Sequence, residues 1–246
     1  MWLYATLMIS TISVPLLLSF DQKLQFFRQW RYLFPAMLIV ALSYIGVDIL
    51  FTHWGVWGFN ERYHSALTML GLPLEEWLFF LAVPYASIFL HDALVLYFPW
   101  FRLSKNMANG LTVLLIVVSI LILAFNTGKA YTTYASIVMV LALVVSFFDL
   151  SGSIRPFYLS FLVILLPFVA VNGILTGSFT QEPVVWYNDA ENLGIRLFTI
   201  PVEDFAYGFS LILFNLMLRA KLQPTGAKKP HHNNVRNHEE MHQYFS

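Results

Sequence analysis

The chain has 246 residues, of which 58% are hydrophobic and 11% are charged, and its formal net charge is zero. This much apolar surface exceeds what one soluble core hides, so a lipid bilayer is the expected solvent. The absence of cysteine excludes structural disulfides and thiolate metal sites. With balanced charge and no basic stripe outside the C-terminal tail, no nucleic acid is expected as a partner.

Seven apolar segments follow one another along the chain, and together they predict seven transmembrane helices. The first begins almost at Met1 without a basic region or a small-residue cleavage site, so we expect a retained helix and not a signal peptide. The fourth segment is the shortest. In chain order the segments are Trp2–Phe20, Tyr32–Phe51, Leu74–Phe98, Leu111–Phe125, Tyr131–Phe148, Phe157–Thr176 and Ile200–Leu218.

The Lys and Arg residues predict the orientation, because positively charged loops stay in the cytoplasm. One side of the predicted bundle has only Arg62, Lys129 and Arg196. The opposite side collects Lys23, Arg28, Arg31, Arg102, Lys105, Arg155, Arg219, Lys221, Lys228, Lys229 and Arg236. We therefore expect a multi-pass protein of the inner (plasma) membrane, with its N-terminus outside and its C-terminus in the cytoplasm.

An internal repeat relates the two halves of the chain. A shift of 128 residues lays Phe59-Asn60-Glu61 on Tyr187-Asn188-Asp189, and Pro73-Leu74-Glu75-Glu76 on Pro201-Val202-Glu203-Asp204. Four helices separate the two copies, so both copies have the same orientation, and parallel repeats place sites at their interface. The expected fold is an all-α polytopic membrane protein with two parallel three-helix repeats, 1–98 and 131–220, a linking helix in 99–130 and a disordered cytoplasmic tail, 221–246.

Four carboxylates in the repeated motif are the candidate catalytic residues: Glu75, Glu76, Glu203 and Asp204. Acids inside a membrane are costly and usually functional. Pro73 and Pro201 suit the first helical position, which would put Glu75 and Glu203 at the third, where helix capping alone explains an acid. Capping does not require the second adjacent acid, so its duplication at the same spacing favours a functional role.

Aromatic and amide residues surround these acids in the sequence. Aromatic faces attract cations, so this lining suits a carbocation, although an interfacial aromatic belt explains part of it. Asp48 is a weaker candidate, and we expect His91 and Asp92 to be ordinary residues of the cytoplasmic interface. The candidate substrate-binding residues are Trp57, Phe59, Asn60, Trp77, Phe79, Phe80, Trp186, Tyr187, Asn188, Phe205 and Tyr207.

The tail contains His238-Glu239-Glu240-Met241-His242, which fits the H-E-x-x-H pattern of zinc peptidases. It lies in a short polar segment with no core to enclose a metal and little chain left for a third ligand. We therefore predict no metal site there beyond adventitious binding by the histidines.

The paired helix starts, Pro73–Phe80 and Pro201–Phe205, together with Trp57–Asn60 and Trp186–Asn188, resemble the small membrane lycopene cyclases. The resemblance is to the form that fuses two homologous three-helix units in one chain, and it extends from Met1 to about Arg219. It implies conversion of the acyclic ends of lycopene into β-ionone rings, an isomerisation within carotenoid biosynthesis. A proton adds at C2, the C5=C6 double bond attacks the C1 cation, and C6 loses a proton.

The resemblance also sets the expected roles in the site. Such chemistry needs an acid, a base and a dry pocket that tolerates a cation. We expect Glu75 and Glu203 to be the essential pair, with Glu76 and Asp204 tuning or sharing the proton, and the division into acid and base stays open. No cofactor is expected, because the chain lacks the G-x-G-x-x-G sequence of a dinucleotide-binding fold.

Other classes of membrane protein share some of these sequence features. A retinal photoreceptor needs a Schiff-base lysine in the last helix, and Ile200–Leu218 contains none. A membrane prenyltransferase needs aspartate-rich Mg²⁺ motifs, which Asn188-Asp189-Ala190-Glu191 only approaches. The membrane prenyltransferase, a proton-coupled transporter, a carotenoid hydratase and a carotenoid elongase stay open. The expected partners are lycopene or a related acyclic carotenoid and membrane lipid, with a homo-oligomer or a complex of carotenoid enzymes left open.

Overall fold

The computed structural model describes residues 2–224 of the chain. The tail pattern His238–His242 lies outside the described residues, as does the rest of 225–246.

Seven α-helices occupy the described part of the chain, which confirms the predicted all-α fold. Six of them are long and apolar enough to cross a membrane, and the first is shorter, with 16 residues. A short 3₁₀ turn at Phe26–Gln29 precedes the second helix. The helices are α1 Leu3–Leu18, α2 Trp30–His53, α3 Leu74–Tyr97, α4 Lys105–Phe125, α5 Ala130–Phe148, α6 Ile154–Leu175 and α7 Glu203–Leu222.

Several helix starts differ from the predicted segments, and local hydrogen bonds explain those of α4 and α7. α4 begins at Lys105, earlier than predicted, because the Ser104 hydroxyl accepts a hydrogen bond from the Met107 N–H and caps the helix. α7 begins at Glu203, later than predicted, because Ile200–Pro201 forms a strand before the helix starts. Hydropathy reports apolar length, whereas the caps and strands fix the ends.

The helices pack in pairs that repeat in the two halves. α1 packs on α3 and α5 packs on α7 within each half, while α2 packs on α7 and α3 packs on α6 across the halves. α4 packs mainly on α5, and many of its large apolar side chains are exposed, as expected for a helix that faces lipid. The halves are therefore arranged about an approximate twofold axis that runs along the helices.

Six short strands lie at the end of the bundle where α3 and α7 begin, which we call the motif end. They are β1 Trp57–Phe59, β2 Thr68–Met69, β3 Leu72–Pro73, β4 Val185–Tyr187, β5 Arg196–Leu197 and β6 Ile200–Pro201. β2 pairs with β3 and β5 pairs with β6 as hairpins directly before α3 and α7. The Leu74 N–H donates to the Leu67 carbonyl, and the Val202 N–H donates to the Ile195 carbonyl, so each hairpin is anchored at the same place.

β1 and β4 pair with each other and join the two halves. They are antiparallel, with Gly58 opposite Trp186 at the centre of the pair. These two residues are equivalent under the 128-residue shift, so the strands pair across the approximate twofold axis. The indole of Trp186 covers Gly58, because a Cβ added there would lie 2.3 Å from the Trp186 Cζ2 atom.

The hairpins correct the expected position of the two prolines. Pro73 is the N-cap of α3 and Pro201 lies in β6, so neither occupies the first helical position. Each proline instead belongs to its hairpin, opposite Thr68 and Arg196 respectively. Glu75 is consequently the second residue of α3 and Glu203 the first residue of α7.

Candidate active site

A cavity of about 60 Å³ lies between the halves at the motif end. This volume is several times the space that one water molecule needs in a protein interior. Helices and strands of both halves contribute to its wall. The lining residues are Tyr4, Asp48, Trp57, Phe59, Glu76, Phe79, Val83, Tyr131, Phe168, Asn172, Leu175, Thr176, Val185, Tyr187, Asp204, Tyr207, Gly208 and Leu211.

Three carboxyl groups face this cavity: Asp48 from α2, Glu76 from α3 and Asp204 from α7. All three are buried, with 2%, 8% and 4% of their surface exposed. Glu76 and Asp204 are equivalent in the two repeats, and the parallel orientation of the repeats brings them to one place. Among the described residues, no ion pair neutralises any of the three.

Glu76 and Asp48 form one group of contacts. The Tyr4 hydroxyl donates to Glu76 Oε2, and the Trp57 indole N–H donates to Asp48 Oδ1 at 2.6 Å. The Asp48 and Glu76 carboxyl groups are close neighbours in the cavity wall. Because two buried carboxylates repel each other and neither can donate a hydrogen bond, this proximity favours a proton on one of the two groups.

Asp204 has a different set of contacts, consisting of neutral donors. The Tyr131 hydroxyl donates to Oδ1 at 2.5 Å, while the Tyr187 hydroxyl and the Asn172 amide donate to Oδ2 at 3.2 and 3.4 Å. Burial raises the pKa of the Tyr187 phenol well above its ordinary value, so this hydroxyl keeps its proton and remains a donor. The carboxylate of Asp204 is thus solvated by protein groups in place of water.

Glu75 and Glu203 bind the loops that precede their helices. Glu75 accepts hydrogen bonds from the Ser65 N–H at 2.7 Å and from the Ser65 hydroxyl at 3.1 Å. Glu203 Oε1 accepts from the Leu193 N–H at 2.8 Å and from the Thr132 hydroxyl at 2.6 Å, while its buried Oε2 receives no hydrogen bond from the described residues. Both side chains lie outside the cavity lining.

Aromatic rings form much of the wall near the carboxyl groups. The Tyr131 and Tyr187 rings stack with centroids 5.6 Å apart, and Trp57 meets Tyr131 edge-on at 5.0 Å. Tyr207 approaches Tyr131 at 6.3 Å. Ring faces carry negative electrostatic potential, so this group of four rings favours a cation in the space beside it.

The structure brings seven of the predicted site residues to the cavity and leaves eight outside it. Those that line it are Trp57, Phe59, Glu76, Phe79, Tyr187, Asp204 and Tyr207. Those outside are Asn60, Glu75, Trp77, Phe80, Trp186, Asn188, Glu203 and Phe205.

The residues outside the cavity have other contacts. Asn60 and Asn188 accept hydrogen bonds from the backbone two residues ahead and so shape their own loops. The Trp77 indole donates to the Met69 carbonyl at 3.3 Å, and Phe205 packs against Phe168. These contacts hold the strands and helix starts that carry the cavity residues.

Sequence reasoning missed four polar lining residues, Tyr4, Tyr131, Asn172 and Thr176, and it gave Asp48, which also lines the cavity, only as a weaker candidate. Each hydroxyl or amide lies within two helical turns of the motif end, level with the repeated acids. Polar side chains at that depth on neighbouring helices were the signal that would have found them.

A protein-family model described as lycopene cyclase matches residues 1–94 and 128–222, which together are more than half of the chain. The chain belongs to the lycopene cyclase family. The two matched segments correspond to the two repeats, and the unmatched residues between them contain α4. Comparisons with curated proteins and with solved structures found no match.

Family membership establishes the broad function. The predicted resemblance is confirmed, and with it a membrane enzyme that acts on carotenoids. The six long apolar helices agree with a membrane location.

Proposed function

We propose that this chain is a lycopene β-cyclase that closes the acyclic ends of lycopene into β-ionone rings by proton transfer. One observation carries the proposal: buried carboxyl groups from both repeats face one aromatic cavity without an ion-pair partner among the described residues. A carboxyl group held by a cation stays an anion, whereas one held by neutral donors can gain and lose a proton.

The reaction conserves every atom and electron. A proton adds to C2 of the end group and leaves a cation at C1. The C5=C6 electron pair then forms the C1–C6 bond, which moves the positive charge to C5. Loss of the C6 proton restores the C5=C6 double bond and completes the ring. No electrons leave the substrate, so the proposed mechanism requires no redox cofactor.

We assign the proton transfers to the acids that face the cavity, Glu76 and Asp204, in place of Glu75 and Glu203. Adjacent residues on a helix project about 100° apart, so only one member of each pair reaches the cavity. The other member binds its loop, as the Ser65 and Leu193 contacts show. This division reverses the roles expected from the sequence.

The aromatic wall supports the cationic intermediates. Trp57, Tyr131, Tyr187 and Tyr207 present rings to the space where positive charge develops, and a cation in a desolvated aromatic site gains about 2 kcal/mol or more. A cyclohexene ring is larger than the resting cavity, so lining side chains must move when the substrate binds.

We also propose the membrane arrangement that the charges favour. The motif end faces the outside of the plasma membrane and the C-terminus lies in the cytoplasm. Residues 1–98 and 131–220 form the two repeats and 99–130 forms the linking segment. Reporter fusions that fluoresce only in the cytoplasm test this orientation: a fluorescent fusion after Leu222 and a dark one in the loop near Glu182 are expected.

The test of the function is expression in a bacterial host engineered to accumulate lycopene, followed by chromatography of the pigments. We expect lycopene to be replaced by carotenes with β-rings, and the empty vector to leave it unchanged. Unchanged lycopene alongside folded, membrane-inserted protein contradicts the proposal. A product with an added hydroxyl or an added prenyl unit assigns the chain to the hydratase or elongase alternative.

A further inference from the structure

The two equivalent acids of the cavity differ in their neighbours. Asp204 accepts hydrogen bonds from two phenols and one amide, those of Tyr131, Tyr187 and Asn172. Glu76 accepts from one phenol, that of Tyr4, and lies beside a second carboxyl group in the cavity wall, that of Asp48. The repeats have therefore kept the acid and changed what surrounds it.

The second helix of each repeat supplies the decisive difference. In the first repeat α2 places Asp48 beside Glu76, and in the second repeat α6 places Asn172 beside Asp204. An amide donates to a carboxylate and stabilises its charge. A second carboxyl group donates only when it carries a proton, so it cannot stabilise Glu76 unless a proton is present.

An unmet hydrogen-bonding requirement points to the same proton. Asp48 is buried, and its Oδ2 atom receives no hydrogen bond from the described residues. A buried carboxylate oxygen without a donor is costly. Two neighbouring carboxyl groups in a water-poor site hold one proton between them, because burying both of them as anions is costly.

We propose that the Asp48–Glu76 pair donates the proton to C2 of the end group and that Asp204 accepts the proton from C6. This assignment rests on the proposed cyclisation. The C2–H bond forms at the expense of the proton held by the pair, and the C6–H bond breaks as its proton moves to Asp204. After each ring closure Asp204 releases its proton to solvent and the pair takes up a proton from solvent, which restores the starting state.

Deuterium labelling separates donor from acceptor. Membranes that contain the full-length protein are supplied with lycopene in D₂O, and the pigments are analysed by chromatography and mass spectrometry. The wild type is expected to place one deuterium at C2 of each new β-ring. Wild-type membranes that leave lycopene unconverted overturn the cyclase function itself, and that outcome is separate from any result with the variants.

Loss of the donor and loss of the acceptor leave different traces. Asp48→Asn and Glu76→Gln are expected to lower deuterium incorporation by about 100-fold or more, with unlabelled lycopene recovered, because no cation forms. Asp204→Asn is expected to retain protonation and lose the β-ring. Its deuterium then appears in recovered lycopene, through return of the proton, or in products quenched by water or by proton loss from another carbon beside C5.

The contrary results are equally distinct. Unlabelled lycopene from Asp204→Asn, or labelled product at the wild-type rate from Asp48→Asn, overturns the assignment. Asp48→Glu, which keeps the carboxyl group, separates chemistry from folding. It is expected to recover at least about a tenth of the wild-type labelling, and failure to recover in a variant with wild-type thermal stability in detergent also counts against the role of Asp48.

Discussion

The two ends of the helix bundle bury carboxyl groups in opposite ways. At the motif end, Asp48, Glu76 and Asp204 accept hydrogen bonds from phenols, an indole and an amide. At the other end, Asp92 of α3 receives two hydrogen bonds from the guanidinium of Arg219 of α7, at 2.5 and 2.8 Å. Among the described residues, the acids of one end thus have no ion-pair partner, and the acid of the other end is fixed in an ion pair.

This difference separates chemistry from assembly. A carboxylate paired with arginine through two hydrogen bonds stays charged and fixes the geometry of both helices. Carboxyl groups with neutral donors cost more to bury as anions, but their protons can move. We infer that the Asp92–Arg219 pair joins the two repeats, since α3 and α7 belong to different halves, and that the motif end performs the reaction.

The largest expected effect tests the motif end with adjacent acids as matched controls. Glu76→Gln is expected to lower cyclisation by about 100-fold or more because it removes a proton-transferring group. Glu75→Gln, one residue earlier, is expected to cyclise lycopene within about threefold of wild type, since its contacts are with Ser65. Pigment chromatography measures both, and equal loss in the two variants contradicts the division between cavity acids and loop acids.

The next effect concerns stability at the opposite end. Arg219→Met leaves Asp92 buried without its cation, and we expect a loss of about 3–5 kcal/mol in the free energy of unfolding. The double variant Asp92→Leu with Arg219→Met removes the unpaired charge and is expected to recover most of the lost free energy of unfolding. Thermal unfolding in detergent measures both, and the remaining folded protein should still make β-rings. A double variant less stable than Arg219→Met argues against an assembly role for the pair.

A smaller effect concerns the strand pair between the halves. Gly58→Ala places a methyl group against the Trp186 indole, and the required shift is expected to cost about 1–3 kcal/mol. Gly46→Ala is the matched control, because a Cβ at Gly46 meets no atom within 4 Å. Unfolding curves compare the two variants, and equal stability means that the indole moves aside without cost.

The smallest effect is expected for the ion pair Arg196–Asp189, which lies on the surface. The Arg196 hydrogen bond lowers the pKa of Asp189, so the pair contributes at neutral pH and its contribution is lost as the pH falls through the lowered pKa. Because solvent screens the pair, Arg196→Ala is expected to cost less than about 1 kcal/mol near neutral pH. The free energy of unfolding is measured for both variants. A loss in Arg196→Ala as large as that in Arg219→Met would contradict the contrast between exposed and buried ion pairs.

The sequence predicted the helices and the repeat because both are strong signals. Long apolar segments define the spans, and the 128-residue shift places Glu76 on Asp204 whatever the packing. The pairing of β1 with β4 was not predicted, since strands of three residues are too short to show an alternating pattern. The family resemblance followed from the same repeated residues and was confirmed.

The roles of neighbouring side chains were beyond the sequence. Whether Glu75 or Glu76 faces the cavity depends on where α3 begins, and the hairpin decides that by taking Pro73. The prediction that His91 and Asp92 are ordinary interface residues did not include the contacts that they make. His91 is 4% exposed and its Nδ1 lies 2.6 Å from the Ser160 hydroxyl, while Asp92 binds Arg219 from the far end of the chain. Contacts between such distant residues leave no trace in local hydropathy.

The β1–β4 pair has a consequence for how the molecule is assembled. Each half carries one strand that pairs with the other half, with the Asn60 N–H donating to the Val184 carbonyl and the Asn188 N–H donating to the Val56 carbonyl. A half on its own would expose the unpaired edge of that strand and its side of the cavity. Covalent fusion supplies each strand with its partner at a fixed one-to-one ratio. It also keeps two different halves together, so that the cavity does not form between two identical halves with one kind of acid.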